Sequence, residues 1–188
     1  MKTRTSTTHP IRVDFIPADV TGLPGRIGMT FAPGKKSAGI ECVWERDVEQ
    51  DLRRLRDVYN TDILVSLIED HELELLAIPD LLEQAKAIGI TVLRLPIVDA
   101  GTPTSMPAFT ALVDDVLAAV RDGKTVIVHC RGGLGRTGLL AAACLVALGQ
   151  TPATAIELVR RARPGAVETR GQERYVDEFA LTVASRRN

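Results

Sequence analysis

Three short apolar runs along the middle of the chain limit its fold more than any other feature. They are DILVSL (62–67), ITVLRL (90–95) and TVIVH (125–129). Short runs rich in valine, isoleucine and leucine are typical of buried parallel strands, and each is followed by a stretch whose apolar residues have helical spacing. This alternation predicts an α/β fold with a mainly parallel central sheet flanked by helices.

The rest of the chain adds amphipathic helices and short strands. Val48, Leu52, Leu55 and Val58 fall on one face of a helix predicted over residues 44–60. The spacing of apolar residues and the positions of glycine and proline predict the other elements in the same way. They are strands at 13–16 and from 26, and helices at 71–78, 79–89, 107–123, 136–149, 151–165 and 171–185.

Length and composition are those of an ordinary globular protein. The chain has 188 residues, of which 45% are hydrophobic and 25% charged, and its formal net charge is −1. These values predict one domain over residues 10–188, preceded by a flexible tail over 1–9. The near-neutral charge argues against nucleic acid or a membrane as a partner, and no apolar run reaches transmembrane length. We expect a cytoplasmic monomer.

The three cysteines are too few and too scattered for a disulfide framework or a zinc site. We therefore expect neither a metal nor another cofactor. Cys144 lies in an alanine-rich helix, which favours a place in the core. Cys42 is a candidate disulfide partner that would protect an oxidised Cys130.

The run VIVHCRGGLGRTG (126–138) joins the third strand to the next helix. Its loop lies at the carboxyl end of a strand and at a helix N-terminus, where α/β proteins commonly bind ligands. Gly132, Gly133 and Gly135 allow successive amides to turn inward as an anion-binding nest, and Arg136 can bind two oxygens of one phosphate. The predicted phosphate-binding residues are Arg131, Gly132, Gly133, Leu134, Gly135 and Arg136.

Cys130 is the predicted nucleophile. Inward amides, the helix dipole and Arg136 all stabilise a thiolate at this position, so the groups that bind phosphate also activate the sulfur. The hydroxyl of Thr137 can donate to the thiolate and ease its departure from a covalent intermediate. His129 is expected to support the loop through hydrogen bonds, or to stabilise the thiolate as an imidazolium.

The loop reads His-Cys-x5-Arg-Thr, and this order resembles the signature loop of the cysteine-dependent protein tyrosine and dual-specificity phosphatases. The segments 23–25, 96–104 and 163–179 resemble the kinase-associated phosphatase (cyclin-dependent kinase inhibitor 3-like) branch, so the resemblance covers residues 23–183. It implies the phosphotyrosine protein phosphatase-like fold. It also implies hydrolysis of phosphotyrosine, and of phosphoserine or phosphothreonine, in a protein or peptide through a phosphocysteine intermediate.

Asp99 is the predicted general acid. It follows the strand 90–95 in a Pro/Gly loop, which neighbouring parallel strands would place beside Cys130. The chain has many acidic residues, so an ordinary turn residue is the alternative. The resemblance assigns the acid role to Asp99, with PIVDAG in place of the Trp-Pro-Asp of many tyrosine phosphatases.

The segment AVETRGQ contains a departure from the family pattern. The family has a glutamine that orients the hydrolytic water, and the resemblance places Glu168 at that position and Gln172 at a second family glutamine. A carboxylate there can hold water but repels phosphate, so the departure concerns the second chemical step.

The loop leaves other functions open. A phosphoinositide or small phosphoester phosphatase would use the same nucleophile, although lipid-directed relatives tend to carry lysines where this loop has only Arg131 as an extra charge. A non-catalytic phosphate-binding module would keep the cradle, meaning the phosphate-binding residues 131–136, without hydrolysis, and Glu168 is the feature that favours it. A rhodanese-type sulfur transferase fits less well, because it explains neither the Arg-Thr pair nor the separate Asp99 loop.

Several polar residues receive a plain structural interpretation. Lys35 and Lys36 are expected in a solvated loop, with substrate contact as the alternative, and His9 and His71 are expected on the surface. The run LVRRARPG (158–165) is interpreted as a helix C-terminus whose arginines balance the helix dipole.

Overall fold

The computed structural model describes residues 2–38 and 42–187, which form eight strands and eight helices. The strands are β1 (Lys2–Thr5), β2 (Asp14–Phe15), β3 (Arg26–Phe31), β4 (Lys36–Ala38), β5 (Cys42–Glu45), β6 (Ile63–Ser66), β7 (Thr91–Arg94) and β8 (Thr125–Cys130). The helices are α1 (Ala18–Thr21), α2 (Val48–Tyr59), α3 (Asp70–Leu75), α4 (Leu81–Ala87), α5 (Met106–Arg121), α6 (Gly135–Ala147), α7 (Pro152–Ala162) and α8 (Arg170–Arg187).

The central sheet has the strand order β2-β3-β8-β6-β7. The pairs β3–β8, β8–β6 and β6–β7 are parallel, and the edge strand β2 is antiparallel to β3. All six residues of β8 are buried, as expected for a strand covered on both faces. The predicted α/β fold with a mainly parallel sheet is confirmed, with β2 as its antiparallel exception.

A second, three-stranded sheet has the order β1-β5-β4. This sheet includes part of the segment 1–9, which the sequence predicts to be a flexible tail. In the structure Lys2–Thr5 pairs in parallel with β5, and the next residue, Ser6, is buried and accepts a hydrogen bond from the Asp47 amide. It also corrects the N-terminal end of the helix predicted over 44–60. Trp44 and Glu45 belong to β5, and the Asp47 side chain caps the helix by accepting from the Gln50 amide.

The apolar core extends from Ile11 to Phe179. Helix α6 lies at its centre, where all but its final residue are buried, and it contacts α5, α7 and α8. The alanines of α6 let these neighbours approach closely, so the helix after the glycine-rich loop is held on several sides. None of the helices in the described ranges has the length and apolar character needed to cross a bilayer.

The topology brings three loops to one edge of the central sheet. Strands β6, β7 and β8 run in parallel, so their carboxyl ends, at Ser66, Arg94 and Cys130, lie at the same edge. In such sheets this edge is the usual place for a ligand. Strand β6 lies between β7 and β8, so the expectation that neighbouring strands bring the Asp99 loop beside Cys130 is corrected. The loops after β7 and β8 still begin at the same edge of the sheet.

Candidate active site

Cys130 is the last residue of β8, and residues 131–134, here called the phosphate loop, connect it to α6. Its side chain is buried, and the Gly133 amide donates a hydrogen bond to its sulfur at 3.2 Å. The positive end of the α6 dipole lies immediately behind the loop. One loop amide and the helix N-terminus thus lie close to the sulfur.

The three glycines at 132, 133 and 135 differ in how closely other atoms approach them. Gly133 has a φ of +71°, and a Cβ on it would lie 2.2 Å from the carbonyl oxygen of Thr30. At Gly135 a Cβ would lie 2.5 Å from an oxygen of Glu168. A Cβ at Gly132 would meet none of the described atoms within 4 Å. Close approach of the backbone therefore requires glycine at 133, whereas a side chain at 135 would have to displace the ends of the Glu168 and Gln172 side chains.

Arg136 is buried and joins three parts of the site. Its Nη1 and Nη2 donate to the two carboxylate oxygens of Glu72 at 2.6 and 2.9 Å. Nη1 also donates to the Ile97 carbonyl at 2.8 Å, and Nη2 donates to Asp99 at 2.7 Å. Burial alone would lower the pKa of Arg136, but the hydrogen bonds and charge of Glu72 raise it above its usual value. The guanidinium is consequently fixed in one plane and always charged.

Glu72 is a site residue that the sequence analysis missed. It lies in α3, and its side chain also accepts from the Glu69 amide at 3.0 Å in a capping box. Burial raises the pKa of Glu72, but the hydrogen bonds and charge of Arg136 outweigh this and hold its pKa below the usual range. The E-x-x-E spacing could have indicated the cap, but no local pattern indicates the arginine 64 residues away.

Asp99 lies in the segment between β7 and α5, here called the acid loop (residues 95–105). Besides its contact with Arg136, its carboxylate is 3.9 Å from the Arg131 guanidinium and accepts from the Ala100 amide. Its side chain is 56% exposed. The structure therefore brings Asp99 to the Arg136 and Arg131 guanidinium groups, with its side chain largely open to solvent.

His129 and Thr137 lie deeper in the site. His129 is fully buried with its Nδ1 3.4 Å from the Cys130 carbonyl oxygen, and burial lowers its pKa to about 4. Its ring is therefore neutral at pH 7, which supports the structural role and not the imidazolium. Among the described residues, the buried hydroxyl of Thr137 has no hydrogen-bond partner, so it is free to turn toward a substrate or the sulfur.

Glu168 and Gln172 differ in how they meet the site. Gln172 is buried, where its carbonyl oxygen accepts from the amides of Glu168 and Thr169 and its amide donates to the Gly101 carbonyl of the acid loop. Its functional groups thus hold two loops together. Glu168 is exposed, and its carboxylate reaches the start of α6 at Gly135.

The position of Lys35 differs from the solvated loop that the sequence predicts. It is buried, with its ammonium nitrogen 4.7 and 4.4 Å from the ring centroids of Phe31 and Trp44. The ammonium donates to the Arg131 carbonyl at 3.3 Å, which places it behind the phosphate loop. Lys36, in contrast, is exposed as expected.

The other two cysteines stay outside this arrangement. Cys42 and Cys144 are buried, and both are free thiols, as is Cys130. Burial raises the pKa of Cys144 to about 12, as expected for an inert core residue. The protective disulfide between Cys42 and Cys130 stays a prediction.

Comparison with known proteins adds independent information. The chain matches a family model described as "Polymorphic toxin system, DSP-PTPase phosphatase" over residues 38–150. It is 30% identical to Cyclin-dependent kinase inhibitor 3 of Homo sapiens over 179 residues, which are 94% of this chain and 82% of that protein.

Two solved structures have a similar fold. Kinase associated phosphatase, with its catalytic-site cysteine changed to serine, matches with a TM-score of 0.84 and 26% identity, over 93% of this chain and 97% of that one. Tk-PTP in its active form matches with a TM-score of 0.69 and 32% identity, over 90% of this chain and 96% of that one.

Proposed function

Because this chain belongs to the DSP-PTPase family of cysteine-dependent protein phosphatases, in the kinase-associated phosphatase branch, we propose that it is an active enzyme that removes phosphate from phosphotyrosine in protein substrates, and from phosphoserine or phosphothreonine. One observation carries the proposal. The Cys130 sulfur accepts a hydrogen bond from the Gly133 amide, and the Arg136 guanidinium of the same cradle donates a hydrogen bond to the Asp99 carboxylate. Nucleophile, anion-binding donors and acid are all present.

The first step transfers the phosphoryl group to sulfur. The Cys130 thiolate attacks phosphorus in line with the ester oxygen, an S–P bond forms and the ester P–O bond breaks. Asp99, in its protonated form, gives its proton to the leaving oxygen. The loop amides and Arg136 stabilise charge on the three non-bridging oxygens throughout.

Binding of phosphate requires Asp99 to leave Arg136. Among the described residues, the Arg136 guanidinium makes four hydrogen bonds, all through Nη1 and Nη2, and its Nε has no partner. A phosphate bound through Nε and Nη2 would meet the Asp99 carboxylate, and two anions repel each other at one donor. The incoming phosphate therefore displaces Asp99 outward, toward the leaving-group oxygen where an acid is needed.

The second step hydrolyses the phosphocysteine. Water attacks phosphorus, the S–P bond breaks, and the Cys130 thiolate leaves while Asp99 takes the water proton. The free hydroxyl of Thr137 can donate to the departing sulfur. We assign the orienting of this water to Glu168, whose carboxylate lies near Gly135 at the start of α6. The side chain of Gln172 is already engaged in hydrogen bonds that link two segments.

The chemistry of the loop favours protein substrates over phosphoinositides. Between Cys130 and Arg136 only Arg131 is charged, whereas a headgroup with several phosphates needs several cations. Lys35 adds no exposed charge, because its ammonium is buried behind the loop. We further propose that the enzyme acts as a cytoplasmic monomer without a metal or other cofactor.

A substrate panel tests the proposal. Purified protein is assayed on phosphotyrosine, phosphoserine and phosphothreonine peptides, on phosphoinositides and on thiosulfate, with p-nitrophenyl phosphate as a generic substrate. We expect turnover of the phosphotyrosine peptide and of p-nitrophenyl phosphate, and Cys130→Ser should lose both because a serine hydroxyl is a far weaker nucleophile than a thiolate.

The serine variant also separates binding from catalysis. Cys130→Ser should still bind inorganic phosphate, because the amides and Arg136 remain. Full turnover by Cys130→Ser would exclude the phosphocysteine mechanism. Phosphopeptide binding by the unmodified protein without phosphate release would identify a binding module, and exclusive lipid or thiosulfate turnover would assign the site to those reactions.

A further inference from the structure

The outer side of the phosphate loop is held by a residue from another part of the chain. Arg163 follows α7, where the backbone leaves the helix in an extended conformation with φ of −138°. Its side chain is only 12% exposed. Nε donates to the Gly133 carbonyl at 2.5 Å, and Nη2 donates to the Gly132 carbonyl at 3.2 Å.

These two carbonyls fix the direction of two amides. In a planar trans peptide the C=O of one residue and the N–H of the next point in opposite directions. The carbonyl of Gly132 shares its peptide with the Gly133 amide, which is the donor to the Cys130 sulfur. Arg163 and Cys130 thus grip the same peptide from its two sides. The Gly133 carbonyl shares its peptide with the Leu134 amide, so the hydrogen bond from Arg163 to this carbonyl directs the Leu134 amide away from Arg163.

The neighbouring carbonyls of the loop are also occupied from outside. The Arg131 carbonyl accepts from Lys35 and from the Ala32 amide, and the Leu134 carbonyl accepts from the Gly138 amide at 2.8 Å. Four consecutive carbonyls therefore face donors outside the cradle. Without such donors a glycine-rich segment can rotate its peptides at little cost, and a carbonyl turned inward would repel phosphate.

The positive charge of Arg163 is itself balanced. Its Nη1 donates to Asp14 of β2 at 2.6 Å. Asp14 lies on the antiparallel edge strand, paired with Met29 of β3. The edge strand, the end of α7 and the phosphate loop are in this way connected through one guanidinium, whose planar fork suits two adjacent carbonyls as lysine does not.

We propose that Arg163 is a positioning residue for phosphate capture: by binding the carbonyls of Gly132 and Gly133 from outside, it holds the loop amides in the direction that receives the thiolate and the substrate phosphate. This inference rests on the proposed function only in taking the cradle as the phosphate site. It assigns to Arg163 a contact with the loop backbone and none with substrate.

The test measures binding of inorganic phosphate by calorimetry in the Cys130→Ser background, where no turnover occurs, and KM for p-nitrophenyl phosphate with Cys130 intact. We expect Arg163→Met to raise both the Kd for phosphate and KM about ten-fold, the effect of losing charge-assisted hydrogen bonds that orient two donors. Arg163→Lys should recover part of the affinity, since an ammonium can reach one carbonyl.

A matched control lies two residues away. Arg161 is exposed and is placed in α7, outside the catalytic and phosphate-binding residues. Arg161→Met removes the same charge from the same helix end and should leave Kd and KM unchanged. A general loss of folded protein would lower kcat and the calorimetric stoichiometry at constant Kd, so Kd separates positioning from stability.

The outcomes decide between the inferences. A folded Arg163→Met that binds phosphate as tightly as the parent overturns the positioning role. If Arg163→Met does not fold, Arg163→Lys and Asp14→Asn carry the test, and an unchanged Kd in both overturns it. If the unmodified protein hydrolyses nothing, the proposed function fails, while weakened phosphate binding by Arg163→Met still supports the role of Arg163.

Discussion

The phosphate loop and the acid loop begin at the same edge of the central sheet, after β8 and β7, but they are held in different ways. Residues 131–134 have every carbonyl occupied from outside, and the Gly133 amide meets the Cys130 sulfur. The acid loop exposes Val98 and Asp99, each by more than half. Its first residues are anchored by backbone hydrogen bonds from Leu95 to Ser66 and from Ile97 to Leu67. Beyond them, single side chains donate to its carbonyls, as Gln172 does to Gly101.

The difference matches what each loop must do. Donors that stabilise an anion act best when they are already oriented before the substrate arrives. An acid must reach the leaving group and then serve as a base for water, so it has to move between positions. We infer that the phosphate loop is built for fixed geometry and the acid loop for displacement from Arg136. The following predictions test this contrast.

Asp99→Asn should give the largest effect. Loss of the acid should lower kcat for a phosphotyrosine peptide by about 10²- to 10³-fold, the lower part of the range for general acid catalysis. It should lower kcat less for p-nitrophenyl phosphate, whose leaving group needs less protonation. The Kd for inorganic phosphate should fall, because the competing carboxylate no longer occupies Arg136. Steady-state kinetics and calorimetry give the two values, and weaker phosphate binding would contradict the displacement.

Gly133→Ala tests the fixed loop. The new Cβ would meet the Thr30 carbonyl at 2.2 Å and would require a φ of +71°, so the amide that donates to Cys130 must shift. We expect kcat/KM to fall about 10²-fold, the lower range for loss of one oxyanion donor, with weaker binding of inorganic phosphate.

Gly123→Ala is the control for backbone strain. Gly123 has a similar φ of +81°, but its Cβ would meet none of the described atoms within 4 Å. It should lower the melting temperature and leave kcat/KM unchanged. Equal activity losses in the two variants would show that close approach at Gly133 is not what fixes the loop.

Lys35 should give the smallest effect, and one that depends on pH. The pKa of Lys35 is lowered to about 8, chiefly by burial and in addition by Arg46 and Arg131, while negative charge on Cys130 and Cys42 opposes the shift. Below this pKa the ammonium is charged, so phosphate affinity should fall several-fold as the pH rises from 7 to 9. The measurement is the Kd for inorganic phosphate across this range.

Two variants isolate the titration of Lys35. Lys35→Arg keeps its charge throughout and should bind phosphate without the decrease near pH 8, and Lys35→Met should bind weakly at every pH. A decrease near pH 8 that persists in Lys35→Met would assign the titration to another group.

Local sequence patterns predicted the parts of the site that are adjacent in the chain. The strand before Cys130, the turn glycines and the start of α6 follow from short-range rules, and the α/β alternation placed Asp99 at the same sheet edge. Trp44 was wrongly assigned to a helix, because the helical spacing that begins at Val48 continues no further toward the N-terminus than the Asp47 cap.

The missed residues act across long distances in sequence. Glu72, Lys35 and Arg163 meet the loop or its arginine from 64, 96 and 30 residues away. Their local contexts have sufficient explanations of their own: a capping box, a turn after Pro33 and a helix end. Only the packed fold shows that each of these charges reaches the phosphate loop or Arg136.

The ion pair between Arg136 and Glu72 also contributes to the stability of the fold. Both side chains are almost completely shielded from water, and stripping a buried ion of its counterion typically destabilises a protein by about 3–5 kcal/mol. Replacing this arginine would therefore lower the fraction of folded protein as well as abolish turnover. A substitution of Cys130 is consequently expected to cost less stability than a substitution of Arg136. An inactive relative that evolved from this chain would therefore be expected to keep the arginine after losing the cysteine.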